Sequence, residues 1–365
     1  MDQITSSWES SLRGSGSSGG SDGSTTSTER AAQKLKQFFS LDPYWVYKKP
    51  LGQGRFGSAH FVQHIQNING VTHTADLVIK VAKSNEEAIE ELQEEKRHLR
   101  ALEGGMHIVR MFDIPNNPLQ MHGFDQEWLI LEWIPNGMLF DFITKARVKG
   151  LTRIPNRLLW RFFLCLVRAA CGMAWPRNRH DGIAETEFPM QGVEPSGYSH
   201  NDLHSGNVVL GDFLADGDHV ITPILKLIDF GLAGSDFPIK DSTLNNLGET
   251  GLLMCQLITL NVELELDNDH IEIDNLGKKF YTRAAPILPS GNGKPRPFPW
   301  LDDRLAFLIA LCMPAQESEP PTLQELTSHL QYAIRERDAA FYGDPIESDA
   351  AVHEYCRRVM FDAET

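Results

Sequence analysis

Basic residues and long apolar runs are scarce in this 365-residue chain. It has 34 Lys and Arg against 49 Asp and Glu, so the formal net charge is −15. A nucleic-acid partner requires a basic surface, so we predict no nucleic-acid function. No uninterrupted apolar run reaches the roughly 18–20 residues of a membrane helix, so we also predict no membrane span.

Cysteine is scarce as well, and its spacing excludes the common metal-binding patterns. No C-x-x-C pair occurs, which predicts buried, reduced thiols and no zinc site. The odd number of cysteines and the lack of a secretory signal pattern favour an intracellular protein of the cytoplasm or nucleus. The five cysteines are Cys165, Cys171, Cys255, Cys312 and Cys356.

The hydrophobic fraction of 41% is ample for a globular core, but it is unevenly distributed. Residues 1–30 are rich in Ser, Gly and Thr, which predicts a disordered tail. From residue 44 onward, short strand-like runs come first and longer helix-like runs follow. Predicted strands cover residues 45–51, 59–62, 77–82, 109–112 and 128–131. Predicted helices cover residues 85–102, 158–174, 246–259, 302–313 and 322–336, and residues 176–197 are predicted to form a surface loop.

Three short motifs carry the functional signal. Residues 52–57 read Gly-Gln-Gly-Arg-Phe-Gly, residues 200–207 read His-Asn-Asp-Leu-His-Ser-Gly-Asn, and residues 229–231 read Asp-Phe-Gly. In this order the motifs resemble those of the protein kinase-like superfamily. The resemblance implies a bilobal α+β fold, with a small β-rich N-lobe at about 44–131 and a larger helical C-lobe at about 135–335. Residues 336–365 would form a helical C-terminal extension.

The resemblance also implies that ATP and Mg²⁺ bind between the lobes. A glycine-rich turn lets backbone N–H groups approach phosphate oxygens without a side chain in the way. Leu131 would lie behind the adenine, and the hinge at 132–134 would offer backbone groups to the purine. The predicted nucleotide-binding residues are Gly52, Gln53, Gly54, Arg55, Phe56, Gly57, Ala59, Lys80, Leu131, Glu132 and Ile134.

A lysine–glutamate pair is the next implied feature. Lys80 ends the strand-like run Leu-Val-Ile-Lys, where the family has the lysine that holds the α- and β-phosphates. Lys83 is the alternative, but its odd spacing places it on the other strand face. Glu95 matches the expected glutamate of the following helix, with Glu91 and Glu94 as competitors.

The catalytic and metal-binding roles fall on three residues. By resemblance, Asp202 accepts the proton of the acceptor hydroxyl. Asn207 and Asp229 hold Mg²⁺, which prefers carboxylate and amide oxygens.

The chain departs from the family where a protein substrate would dock. Asn201 stands in place of the Arg that pairs with a phosphorylated loop, and His204 stands in place of a Lys. No Ala-Pro-Glu follows residue 231, and Pro320 occupies the position of the Arg that would pair with that Glu. Asn246 replaces the Asp of the central helix. We therefore predict an atypical kinase whose activity needs no loop phosphorylation.

Three functions fit these residues. The first is an ATP-dependent kinase that phosphorylates a hydroxyl group, in particular protein Ser or Thr. The second is a nucleotide-binding pseudokinase that acts as a scaffold, and the third is a small-molecule phosphotransferase. The predicted partners are therefore ATP and an unknown protein or small-molecule acceptor.

Overall fold

The predicted α+β class is confirmed: an antiparallel sheet comes first and a helical region follows. The computed structural model describes residues 27–361, apart from 180, 236, 267–269, 292 and 317. The predicted tail of residues 1–30 lies outside this range up to residue 26. Its last four residues already belong to a helix, α1 (Ser27–Phe39).

The N-terminal half is built on five antiparallel strands in the order β1-β2-β3-β5-β4. Each predicted strand has a counterpart, but β4 covers only the last two of the predicted residues 109–112. Strands β2 and β3 are longer than predicted and pair along their whole length as a hairpin closed at Asn69-Gly70. A helix, α2 (Glu86–Ala101), follows the third strand. The strands are β1 (Trp45–Gln53), β2 (Gly57–Ile68), β3 (Val71–Ala82), β4 (Met111–Phe112) and β5 (Trp128–Glu132).

Helix α1 is absent from the sequence-based assignment, and it covers the outer face of this sheet. Leu35 and Phe39, one helical turn apart, are almost fully buried against Trp45. The spacing of these two apolar residues was the available signal. On the sheet, Leu77, Ile79 and Val81 join this outer cluster, so the alternate positions of β3 face the opposite side.

The C-terminal half is helical and is centred on one long buried helix. This helix, α5 (Asn156–Ala174), is buried at 18 of its positions. A short antiparallel pair, β6 (Val208–Leu210) with β7 (Leu225–Leu227), lies beside it. The remaining helices and strands are α3 (Pro118–Met121), α4 (Leu139–Val148), α6 (Ile239–Thr259), β8 (Ile271–Asn275), β9 (Lys278–Thr282), α7 (Asp303–Leu311), α8 (Leu323–Glu336), α9 (Ala339–Tyr342) and α10 (Asp349–Phe361).

The predicted start of α6 at Asn246 is wrong by seven residues. The helix begins at Ile239, after Pro238 at its N-cap position. Its first two turns carry polar residues such as Asp241 and Asn245, so apolar periodicity does not reveal them. The β8–β9 hairpin was also not predicted, because its strands are only half-buried.

The C-terminal extension packs onto the helical lobe through a buried carboxylate. Glu347 accepts hydrogen bonds from the backbone N–H groups of Asn156 (2.7 Å) and Arg157 (2.9 Å) at the start of α5. Arg157 donates in return to the Glu347 carbonyl at 2.6 Å. A carboxylate at a helix N-terminus satisfies amide groups that lack an intrahelical partner. In the described part of the chain, no helix is both long and apolar enough to cross a membrane.

We expect Glu347→Ala to lower the free energy of unfolding by about 2–4 kcal/mol, because two buried backbone donors lose their acceptor. Glu347→Gln keeps one acceptor oxygen and should cost less. Urea unfolding measures both, with the exposed Glu354→Ala in α10 as control. A Glu347→Ala variant as stable as the control would show that the extension does not hold α5.

Candidate active site

A cleft of about 260 Å³ lies between the sheet and the helical lobe. Thirteen residues are predicted to bind ATP, to pair with Lys80 or to accept the proton. Eleven of them line this cleft, and Asp229 lines it as well. Gly52 and Gln53 belong to β1 and lie outside the lining set. The lining residues from the predicted set are Gly54, Arg55, Phe56, Gly57, Ala59, Lys80, Glu95, Leu131, Glu132, Ile134, Asp202 and Asp229.

The glycine turn is shaped by close backbone packing. The Gly54 N–H donates to the Gly57 carbonyl at 2.9 Å, which closes the turn between β1 and β2. A Cβ atom on Gly57 would lie 2.3 Å from the Val81 carbonyl oxygen, so no side chain fits there. Lys83, the alternative to Lys80, donates to the carbonyls of Gly54 (3.0 Å) and Arg55 (2.5 Å). Lys83 therefore stabilises the glycine turn, and the lysine that contacts Glu95 and Asp229 is Lys80.

Lys80 bridges two carboxylates at the back of the cleft. Its Nζ lies 2.6 Å from Glu95 Oε2 and 2.8 Å from Asp229 Oδ1. Burial favours the neutral amine, but the two carboxylates outweigh it and raise the pKa of Lys80. The ammonium group in turn lowers the pKa of Asp229 against the opposing effect of burial. Lys80 and Asp229 are thus held in the charged forms that phosphate binding uses, whereas burial raises the pKa of Glu95 against the opposing effect of Lys80.

The two competing glutamates of α2 have other surroundings. Glu94 pairs with Arg97 on the surface. Glu91 lines the cleft, and a Cβ atom on Gly231 would lie 2.8 Å from its Oε1. Burial raises the pKa of Glu91 to about 7, against an opposing effect of Lys80. Glu91 is therefore a titrating group in the cleft. From the sequence it was considered only as a competitor of Glu95 for the contact with Lys80.

The catalytic loop holds Asp202 and Asn207 together. Asn207 Nδ2 donates to the Asp202 carbonyl (2.9 Å) and to its Oδ2 (3.0 Å). Burial raises the pKa of Asp202, and His204 Nε2 lies 3.8 Å from the same Oδ2. The amide of Asn207 thus orients the proposed base while its own oxygen belongs to the donor type that Mg²⁺ prefers.

The Asp-Phe-Gly segment is held in a restrained backbone geometry. Asp229 adopts a left-handed conformation (φ 64°), which costs energy for a non-glycine residue. Phe230 is fully buried and packs on the His200 ring, with centroids 4.7 Å apart. His200 donates from Nε2 to the Ile228 carbonyl at 3.1 Å, and burial lowers its pKa to about 4. These contacts fix the strand end that delivers Asp229 to the cleft.

Asn246 positions the catalytic loop. From the sequence it was noted only because it replaces the Asp that the family has in the central helix. Its Oδ1 accepts the backbone N–H of His200 (3.1 Å), and its Nδ2 donates to the Tyr198 carbonyl (2.9 Å). The side chain is buried in α6. Buried polar side chains are usually hydrogen-bonded, but the neighbouring polar residues of α6 gave no signal that Asn246 would be the buried one.

Asn201 joins the catalytic loop to the segment after residue 229 by neutral hydrogen bonds. It also has a left-handed backbone (φ 62°), which Asn tolerates well. Its Nδ2 donates to the Leu232 carbonyl at 3.0 Å, and Asn245 Nδ2 approaches its Oδ1 at 3.3 Å. The segment from Asp229 to α6 is therefore tethered without a charged partner at Asn201.

The hinge side chains pack within the protein. Leu131 is buried, and Glu132 Oε1 accepts from Lys226 Nζ (2.6 Å) and from the Arg110 N–H (2.8 Å). The Glu132 N–H donates to the Arg110 carbonyl at 2.9 Å. A purine contact at Glu132 must therefore come from its carbonyl oxygen.

The donor set of the cleft fits a nucleotide with a hard cation. Asp229 and Lys80 line the cleft and supply a carboxylate and an ammonium group, and Asn207, which is outside the lining, supplies an amide beside Asp202. A family model described as protein tyrosine and serine/threonine kinase matches residues 46–250. This range covers the glycine turn, the Lys80–Glu95 pair, the catalytic loop and Asp229.

The raised pKa of Glu91 predicts a pH-dependent stability. Because the folded chain keeps this proton up to about pH 7 and an ordinary glutamate loses it near pH 4.5, unfolding becomes easier as pH rises through that window. Glu91→Gln cannot ionise, so the variant should gain stability relative to the natural chain between pH 4.5 and 7 and keep that gain above it. Nucleotide-free urea unfolding across this range measures the difference, with exposed Glu90→Gln as control. Parallel curves for Glu91→Gln and the natural chain would contradict the buried, protonated carboxyl.

Proposed function

Because this chain belongs to the protein tyrosine and serine/threonine kinase family, we propose that it is an active ATP-dependent phosphotransferase of atypical type. It moves the γ-phosphate of ATP to a serine or threonine hydroxyl of a protein. The observation that carries this proposal is Lys80, whose Nζ contacts both Glu95 and Asp229 in one cleft. A scaffold that only binds nucleotide has no need for this pair together with Asp202.

Each residue has a chemical task in this proposal. The backbone N–H groups of residues 54–57 and the Lys80 ammonium group bind the phosphates of ATP. Asn207 and Asp229 hold Mg²⁺, which when bound neutralises charge on the phosphate oxygens. Asp202 orients the acceptor hydroxyl and takes its proton as the new phosphate ester bond forms. The burial that raises its pKa makes Asp202 a better proton acceptor.

A polypeptide is the acceptor that the surface beside Asp202 fits. Leu232 lines the cleft with Asp202, and four large apolar side chains are exposed among the described residues of 232–244, from which a small polar metabolite would gain nothing. A tyrosine ring carries its hydroxyl far from the peptide backbone and needs a long supporting segment. The segment from Asp229 to Pro238 is short, which favours Ser or Thr. The apolar residues are Leu232, Phe237, Ile239 and Leu244.

We also propose that residues 44–335 form the catalytic unit, with lobes near 44–131 and 135–335. The extension from residue 336 is then a structural part of the larger lobe. The Glu347 contacts with the start of α5 support this division.

Two substitutions separate metal-dependent binding from transfer. Asp229→Asn should remove the Mg²⁺-dependent thermal stabilisation by ATP. Asp202→Asn should keep that stabilisation and lose transfer to a Ser/Thr peptide library, because Asp202 acts on the acceptor. Transfer is measured with labelled ATP, and exposed Asp212→Asn is the matched control.

Other results would redirect the proposal. Mg²⁺-dependent ATP binding without transfer to peptides or to a metabolite pool would favour the pseudokinase scaffold. Label found only in small molecules would favour the small-molecule phosphotransferase. Equal loss of binding in both variants would contradict the roles given to Asp202 and Asp229.

Activity should not depend on phosphorylation of the segment after residue 229. Ser242 is buried in α6 and donates to the Ile239 carbonyl at 2.9 Å, so it is shielded. Ser235 and Thr243 are the other hydroxyl residues in 231–243. The double variant Ser235→Ala, Thr243→Ala and the phosphatase-treated natural chain should transfer phosphate at the untreated rate. A large loss under both treatments would reveal a phosphate switch.

A further inference from the structure

A second cluster of chemically active side chains lies behind the cleft, away from the nucleotide residues. It consists of His107, Cys165 and His219, which are buried and whose ligand atoms lie within 4.8 Å of one another. His107 precedes β4, Cys165 lies on α5, and His219 comes from the loop between β6 and β7. Three distant segments therefore bring two imidazoles and one thiol to a single point.

Each histidine has a carboxylate that contacts both its backbone N–H and its ring Nδ1. Glu187 accepts the backbone N–H of His107 at one oxygen (2.7 Å) and contacts its ring Nδ1 at the other (2.6 Å). Asp216 does the same for His219, at 2.8 Å and 2.6 Å. Since an ionised carboxylate can only accept, both Nδ1 atoms must carry the proton.

In the neutral imidazole, a proton on Nδ1 leaves Nε2 unprotonated, and the two Nε2 atoms face each other. His107 Nε2 lies 3.3 Å from His219 Nε2, and Cys165 Sγ lies 3.3 Å from the same His219 atom. The thiol can supply a proton to one contact only. Two unprotonated imidazole nitrogens so close in a buried site repel each other unless a proton or a metal ion lies between them.

We propose that His107, Cys165 and His219 bind one Zn²⁺ ion, with Glu187 and Asp216 as the carboxylates that orient the two imidazoles. Zinc bonds of about 2.0–2.1 Å to nitrogen and about 2.3 Å to sulfur, at tetrahedral angles, give ligand separations of about 3.4 Å for N···N and about 3.6 Å for N···S. The two measured separations of 3.3 Å are close to these values. A carboxylate on the far nitrogen of each histidine is the usual arrangement around a protein-bound zinc.

The ion would have a structural role. Glu187 belongs to the predicted surface loop of 176–197, and Asp216 and His219 belong to the loop between β6 and β7. The His107 carbonyl accepts the Leu227 N–H at 2.8 Å, two residues before Asp229. Zinc would fasten both loops to α5 and hold the strand that leads to Asp229. This inference does not rest on the proposed catalytic activity.

The test uses the full chain and needs no kinase assay. We expect about one equivalent of zinc after dialysis, by elemental mass spectrometry, and thermal stabilisation when Zn²⁺ returns to the metal-stripped chain. Cobalt in place of zinc should give the near-ultraviolet charge-transfer band of a thiolate ligand. Cys165→Ser should lose the band, and Cys171→Ser should keep it. Cys171 is the matched control because it is also buried in α5 but contacts Thr327.

A surface substitution keeps the proposal testable if Cys165→Ser fails to fold. Asp216→Ala should lower zinc affinity about 10–100-fold, by competition with a coloured chelator. Asp212→Ala, exposed in the same loop, should leave the affinity unchanged. A natural chain that binds no Zn²⁺ would overturn the proposal, since a protonated imidazole would then separate the two nitrogens. Equal affinity in Asp216→Ala or Cys165→Ser would overturn it too.

Discussion

The contact of Lys80 with Glu95 and Asp229 is the constraint on which the two lobes depend. One ammonium group joins β3, α2 and the segment after β7, which are separated by up to 149 positions in the chain. Burying three charges is costly unless they compensate one another closely. The sheet, α2 and the left-handed turn at Asp229 are therefore linked through one group of charges. The same balance keeps the lysine charged and directed into the cleft, where a phosphate can share it.

The side chains that hold the loops around this charged centre by hydrogen bonds are neutral. Asn246 holds the catalytic loop, Asn201 holds the segment after Asp229, and neutral His200 supports Ile228. An amide can donate and accept in one place, so it satisfies a buried loop without the desolvation cost of an ion. A charged support can be switched by another charge, whereas these amides cannot. Neutral supports of this kind agree with the proposed independence from phosphorylation.

The sequence predicted most of the fold because its motifs and its periodic patterns are local. Helix α2 and strand β5 appear within one or two residues of their predicted bounds, since apolar spacing marks their buried faces. The first turns of α6 were missed because their polar residues conceal the helical period, whereas α1 was missed although the spacing of Leu35 and Phe39 indicates a helix. The role of Lys83 was also hidden: its acceptors are backbone carbonyls of residues 54 and 55, and a sequence pattern carries no information about them.

The proposed zinc site at His107, Cys165 and His219 belongs to a class that spacing rules do not address. A C-x-x-C pattern reports ligands that share one turn, so its absence excludes only that class of zinc site. Here the proposed ligands come from three segments, and each histidine is oriented by a carboxylate from a loop or a neighbouring turn. What joins them is the packing of α5 against the β6–β7 pair. Since the strand after His219 ends two residues before Asp229, whatever occupies the cluster bears directly on how firmly Asp229 is held.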